Sequence, residues 1–319
     1  MSYIFDALQR SQTERSGVEL DAFDLPGELL QMAESAAMPV QTVDEIVEPV
    51  RASRDKEEEI ASLKKQFDDS ADVFSRVGSL PVSLPPNSKL VSAIEKESLA
   101  AEKFRFLGVR LRQLRQKRQL RRVLVTSTIP EEGKSTVAAN LACTLASRRE
   151  QRVLLFEADL RRPTLRQKFG LSKLAGVTEY LQGSISAEQA IYRLDSLGIY
   201  IAPAGNVASN PLELLQSGRL ATIMEQFDTW FDWIIIDSPP ILPLADISVL
   251  SRVADGVLLV TRAGVTDKEQ LKRGMEAIES SSSKVLGALI NSSVNAVHSD
   301  YYQRYAPAAV SLHKLRDGQ

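Results

Sequence analysis

The sequence predicts an α/β fold, with a mainly parallel sheet and helices on both of its faces. Three observations lead there. Short, unbroken apolar runs recur from Arg122 onward. They lack polar alternation, so each strand has both faces buried. Longer stretches of helical periodicity separate them, which is the pattern of strand–helix–strand crossovers.

The chain has 319 residues, about two units by the usual domain length. Hydrophobic residues are 44% and charged residues 25%, as in a globular protein. The single Cys143 excludes an internal disulfide, and with two histidines it excludes a Cys-based zinc cage. No run of about 18 apolar residues spans a membrane, and the opening residues lack an apolar signal core. A cytoplasmic location is the expectation.

Net charge is −2, but it is unevenly distributed. Residues 1–88 carry 8 basic against 17 acidic side chains, whereas residues 102–122 carry 9 basic side chains against the single Glu102. Residues 1–88 read as an acidic flexible arm with several prolines. Within it, residues 2–14 and 55–67 have the spacing of short docking helices. Residues 78–88, with three prolines, read as a linker. The basic stretch suits an anionic surface or a solvated helix face. No aromatic residues interleave with its arginines after Phe106, so no nucleic-acid partner is expected.

Residues 89–296 form the predicted folded domain. A helix is predicted over 90–118, with Leu99, Phe104, Leu107, Leu111 and Leu114 as its apolar stripe. Strands are predicted at 122–126, 152–156, 199–201, 233–237, 256–260 and 285–290. Ligands of such sheets bind beyond the carboxyl ends of the strands.

The first strand runs into Thr126-Ser-Thr-Ile-Pro-Glu-Glu-Gly-Lys-Ser-Thr136, and a helix follows. Strand, Gly-Lys-Ser loop and helix form the phosphate-binding arrangement of P-loop NTPases. Loop N–H groups and the positive end of the helix attract phosphate oxygens. Gly133 permits close backbone approach, Lys134 serves the β- and γ-phosphates, Ser135 offers a hydroxyl to Mg²⁺, and Thr136 adds a phosphate contact. The pattern expects Gly at position 128, where this chain has Thr128.

Two further strand ends carry acids. Asp237 closes the fourth apolar run and is placed either to hold Mg²⁺ or to cap the following turn. Glu157, Asp159, Arg161 and Arg162 follow the second run, a set suited to metal, proton and phosphate; a capped helix start at Pro163 is the alternative. Asn291 ends the last strand and reads equally as an adenine contact or a turn residue. Asp246 reads as a helix cap and Cys143 as a small core residue.

Together these segments resemble the bacterial tyrosine kinases of the capsule and exopolysaccharide type, over roughly residues 95–305. The family's phosphate loop resembles 126–136, including Pro130 and Glu132. Its second acidic motif resembles Leu155 to Pro163, and its third resembles Ile234 to Pro240. Residues 210–215 and 255–260 also read like family segments. The resemblance implies tyrosine autophosphorylation with Mg-ATP. Lys134, Asp159 and Asp237 would be catalytic, with Asp159 as metal ligand or proton acceptor. Thr128, Pro130, Glu132, Gly133, Lys134, Ser135, Thr136, Arg161 and Asn291 would line the ATP site, and Ser135, Glu157, Asp159 and Asp237 would surround the metal.

It further implies a membrane partner that controls polysaccharide chain length and recruits the kinase to the inner membrane face. It also implies a homo-oligomer and an opposing phosphotyrosine phosphatase. Two positions depart from the family pattern: Glu157 replaces the usual Asp, and Gly108 replaces the second Arg of a ring-forming Glu-x-x-Arg-x-x-Arg helix.

Three of seven tyrosines, Tyr301, Tyr302 and Tyr305, cluster in the tail 297–319, and the resemblance makes them the acceptors. Each phosphate would add about −1.5 to −2 charge and loosen an assembly by repulsion. A second reading is an ATPase switch of the partitioning or division-site type. Such proteins carry a signature Lys early in the loop, where this chain has Ile129. A third reading is a scaffold that binds nucleotide without turnover.

Overall fold

A computed structural model describes residues 73–292, apart from residues 86, 148–149, 243–244 and 282. The acidic arm up to residue 72, with both expected docking helices, and the tail tyrosines lie outside the described residues.

The described chain builds one eight-stranded sheet. In chain order its elements are β1 (Gly78–Ser79), α1 (Val91–Ile94), α2 (Leu99–Lys117), β2 (Arg122–Ser127), α3 (Lys134–Ala146), β3 (Val153–Glu157), α4 (Leu165–Lys168), α5 (Val177–Leu181), β4 (Tyr192–Leu194), β5 (Ile199–Ala202), α6 (Pro211–Gln216), α7 (Arg219–Trp230), β6 (Trp233–Asp237), α8 (Asp246–Leu250), β7 (Gly256–Arg262), α9 (Lys268–Ser280) and β8 (Val285–Asn291). The strand order is β1-β4-β5-β3-β6-β2-β7-β8. All six strands read from the apolar runs are present. The sheet is parallel except for the β4–β5 pair. Only residues 195–198 join β4 to β5. A parallel crossover needs a dozen or more residues, so this pair closes as a hairpin.

Each face of the sheet has its own core. On one face, Leu124, Leu154, Phe156, Ile234 and Ile236 meet the apolar stripe of α7, namely Leu220, Ile223, Met224, Phe227 and Trp230. On the other, Val123, Val125, Val153, Leu155 and Ile235 pack beneath α3. That helix is rich in Ala, a strong helix former with a small side chain, and is buried almost along its whole length. Burial on both faces explains why β2, β3 and β6 show no polar alternation.

Residues 78–88 are not a free linker. Gly78 and Ser79 pair with β4, and the Leu80 amide donates to the Arg193 carbonyl at 2.9 Å. Leu80, Val82 and Leu84 pack on the core at a spacing of two residues. The folded unit thus extends upstream of the expected boundary. Prolines are tolerated there because an edge segment needs few ladder donors. Farther upstream, the Phe74 ring lies 5.0 Å from Tyr200 and 5.7 Å from Phe231.

The helix expected over 90–118 is divided in two. Ser98 starts α2, its hydroxyl accepting from the Ala101 amide at 3.1 Å. Leu111 is buried, and Phe104, Leu107 and Leu114 are partly buried, while Leu99 is exposed. Much of the basic stretch is paired within the fold. Arg122 binds Asp228, Arg115 donates to the Asp232 carbonyl at 2.8 Å, and Asp255 accepts from the Arg121 and Arg122 amides.

Gly108 lies where α2 crosses α3. A Cβ there would stand 3.3 Å from Thr144 Cγ2 and 3.7 Å from Leu145 Cδ2. Gly108→Leu therefore has to separate the two helices. We expect a net loss of about 1–2 kcal/mol, with overpacking outweighing the roughly 1 kcal/mol gained in helix propensity. Urea unfolding would check this, and an unchanged midpoint would contradict the close crossing.

Candidate functional site

Register brings three strand ends together. Asp237 of β6 pairs with Glu157 of β3 on one side and with Val125 of β2 on the other. The chain after β6 then runs beside the loop that follows β2, with Ile241 donating to Ser127 O at 2.8 Å and Leu242 to Thr128 O at 3.0 Å. The predicted phosphate loop and both predicted acidic motifs thus share one edge of the sheet.

Gly133 caps α3 in the left-handed region at φ +94°, and a Cβ there would meet Asn291 Nδ2 at 2.2 Å. Only glycine combines that backbone conformation with that approach. Asn291, from the end of β8, donates to the Glu132 carbonyl at 2.9 Å. The Glu132 carboxylate is fully buried, accepting from the Ile129 amide at 2.8 Å and from the Thr266 hydroxyl. Glu132 and Asn291, both expected to touch ATP, thus fasten the loop to β8 and to the β7–α9 connection. Thr128 takes the place of the pattern's first glycine. Its buried side chain faces α9 at Gly274, where a Cβ would lie 3.2 Å from Thr128 Cγ2. Space given up at position 128 is recovered at position 274.

Lys134 begins α3, and its Nζ lies 3.0 Å from Asp159 Oδ2. Burial pulls the Lys134 pKa down, but Asp237, Asp159 and Glu157 together outweigh burial and raise it, so the ammonium stays charged. Asp237 is completely buried and neither carboxylate oxygen has a hydrogen-bond partner among the described residues. Burial pushes its pKa up to about 7, against the pull of Lys134; Glu157 adds to the rise, and the nearby Ser135 hydroxyl opposes it without forming a well-aligned hydrogen bond. An orphaned carboxylate beside a serine hydroxyl at a helix N-terminus suits a hard divalent cation bridging to phosphate. Among the described residues no three acidic, His or Cys side chains gather as a protein-only cage, so such an ion would share its ligands with its substrate.

Two predicted site residues have other tasks. The Glu157 Oε1 accepts from the Thr164 and Leu165 amides at 2.6 and 2.7 Å, and Oε2 accepts from the Ala204 amide at 2.9 Å. Its carboxylate caps α4 and ties β3 to the end of β5, while staying within electrostatic range of Asp237 and Lys134. The extra methylene relative to Asp supplies that reach. Arg161 forms a two-pronged pair with buried Asp246, at 2.7 and 2.9 Å, and so joins the second acidic motif to α8 rather than pointing a free guanidinium at phosphate. Asp246 is more than the helix cap expected of it.

Sequence reading missed Thr266, Gly274, Asn140 and Lys168. Asn140 binds Thr136 O and Lys89 O, both at 2.9 Å, and Lys168 binds Thr136 Oγ1 at 3.0 Å. None lies in a recognisable motif. Asn140, a polar residue inside an apolar helix, was the one available signal.

The sequence profile of the ParA family, described as NUBPL iron-transfer P-loop NTPase, matches residues 120–305. The tyrosine-protein kinase YwqD of Bacillus subtilis (strain 168) is 37% identical over 212 residues, covering 66% of this chain and 89% of that protein. The chain belongs to the bacterial tyrosine kinases. The tyrosine-protein kinase etk of Escherichia coli (strain K12) is 30% identical over 179 residues, 56% of this chain and 24% of that longer protein. Among solved structures of the family, the kinase domain of Escherichia coli ETK superposes with TM-score 0.63 at 27% identity, over 67% of this chain and 82% of that one. The chimerical protein CapA2B2 superposes with TM-score 0.62 at 26% identity, over 71% and 100%.

Within this bacterial tyrosine kinase fold, Glu157 is a test of the edge's construction. Glu157→Gln replaces an acceptor oxygen with a donor facing backbone N–H groups. We expect a loss of about 1–3 kcal/mol, measured by urea unfolding. Unaltered stability would mean that these amides do not need the carboxylate.

Proposed function

We propose that the chain is an ATP-dependent protein-tyrosine autokinase. The observation that carries this reading is the meeting of Lys134 and Ser135 with the unpartnered Asp237 at one sheet edge, in a chain homologous to tyrosine kinases. Loop amides and the N-terminus of α3 bind the phosphates of ATP. Ser135 and Asp237 would hold Mg²⁺, which would supply charge neutralisation for the transferring phosphoryl group. Lys134 exchanges Asp159 for phosphate oxygens. That exchange frees the Asp159 carboxylate to take the proton of an incoming tyrosine hydroxyl, whose ordinary pKa is about 10. The tyrosine oxygen bonds to the γ-phosphorus as the bond to ADP breaks.

Tyr301, Tyr302 and Tyr305 are the proposed acceptors, reached between copies of the chain. The further proposals are regulation of capsule or exopolysaccharide export with a membrane chain-length-control partner, and reversal by a phosphotyrosine phosphatase. No helix among the described residues is long and apolar enough to cross a membrane.

Mass spectrometry after incubation with Mg-ATP, with and without the partner's cytoplasmic segment, tests the reading. We expect phosphate on the tail tyrosines in the wild type and none in Lys134→Ala. Full labelling of Lys134→Ala would refute the assigned loop. ATP hydrolysis without phosphotyrosine in either condition would support the ATPase switch, and nucleotide binding with neither would support the scaffold.

A further inference from the structure

The phosphate site contains an ammonium group that the reading above does not use. Lys168, at the end of α4, donates to Thr136 Oγ1 at 3.0 Å and reaches the Ser88 carbonyl at 3.5 Å. Lys134 has Asp159 in contact, but among the described residues no carboxylate pairs with Lys168. Burial lowers the Lys168 pKa; Asp237 opposes this, and the charges of Lys89 and Lys134 push it down further. Lys89 and Lys134 thus both lie within electrostatic range of Lys168, and of Lys134 and Lys168 only Lys134 has a carboxylate in direct contact among the described residues. Such repulsion is relieved when a polyanion enters.

The segment that brings Lys89 and Lys168 together is tightly fixed. Asn140 of α3 accepts from the Ser92 amide at 2.9 Å and donates to Lys89 O at 2.9 Å. Its amide also donates to Thr136 O, one turn back along the same helix. Lys89 is held at φ +56°, an uncommon conformation for a residue with a side chain. Ser88 beside it is buried at 3% exposure, and its hydroxyl has no hydrogen-bond partner among the described residues. Among the described residues the cluster therefore offers a cation with no carboxylate in direct contact, bonded to Thr136 in the first turn of the helix that receives phosphate.

We propose that Lys168 is a second phosphate-binding cation of the nucleotide site, held against Thr136 by the Ser88–Lys89 segment. The proposal rests on the reading of the loop as a nucleotide site. Lys134 serves the outer phosphates, whereas loop and helix amides cradle the inner ones. Lys168, bound to Thr136, serves an inner phosphate, so ADP and ATP should depend on it alike.

Calorimetric titration of the full chain with Mg-ADP and Mg-ATP at two salt concentrations tests this. The proteins compared are wild type, Lys168→Gln, Lys168→Arg and Lys134→Ala. Lys168→Gln should weaken both nucleotides about ten-fold and flatten the salt dependence of binding. Lys168→Arg should recover most of the affinity, and the melting temperature without nucleotide should stay at the wild-type value. Lys168→Met, which keeps the apolar stem without charge or donor, should behave like Gln and serves if that variant folds poorly. Affinities within about two-fold of wild type in the neutral variants, with an unchanged salt dependence, would reduce Lys168 to a tether between Thr136 and Ser88 and overturn the proposal. Undetectable nucleotide binding by the wild type, or full affinity in Lys134→Ala, would instead overturn the phosphate-loop reading and this proposal with it.

Discussion

The structure is organised around one costly arrangement, a carboxylate buried without a hydrogen-bond partner among the described residues at the meeting of three strand ends. Asp237 has no exposure, and the compensating charge of Lys134 is turned toward Asp159. Burial of an unsatisfied ionisable group is unfavourable, and in this case raises its pKa. The surrounding scaffold keeps that group in place. β6 lies between β2 and β3, both fully or almost fully buried, so the acid cannot swing into water without breaking the sheet.

The loop facing Asp237 is held by neighbours as well as by its single glycine, Gly133. Its buried Glu132 bonds across to the β7–α9 connection, and Asn291 bonds from β8. The second acidic motif is fixed through Glu157 to backbone amides and through Arg161 to Asp246. These polar side chains take up work that a more glycine-rich loop leaves to its backbone. Several residues that look like ligand contacts in the sequence therefore also hold the edge in shape, among them Glu132, Glu157, Arg161 and Asn291.

Much of this was legible in the sequence because the central strands are buried on both sides. Unbroken apolar runs such as Trp233–Ile236 have one simple interpretation, and each is followed by its polar functional residues. The edges were less legible. Tyr192–Leu194 is too short and mixed to announce a strand, and the alternation of Leu80, Val82 and Leu84 was masked by Pro81 and Pro85. Side-chain destinations were less legible still. Glu157 and Arg161 follow the right strand, but whether they meet a ligand or the backbone depends on Ala204 and Asp246, which lie 47 and 85 residues away. Lys168 reaches Thr136 only because α4 folds back against the start of α3, a contact without a local sequence signature.

The most direct test of the buried-carboxylate account is the melting temperature of the nucleotide-free protein as a function of pH, wild type against Asp237→Asn. The native Asp237 pKa is raised from 3.8 to about 7, so between those values the folded state retains a proton that the unfolded state has released. Wild-type stability therefore falls as pH rises through that window, and Asn, which does not titrate, escapes the loss. The account predicts that the variant is the more stable protein at about pH 8, with an advantage that shrinks progressively toward about pH 4. A difference that does not change with pH, or a wild type that gains on the variant as pH rises, would contradict it.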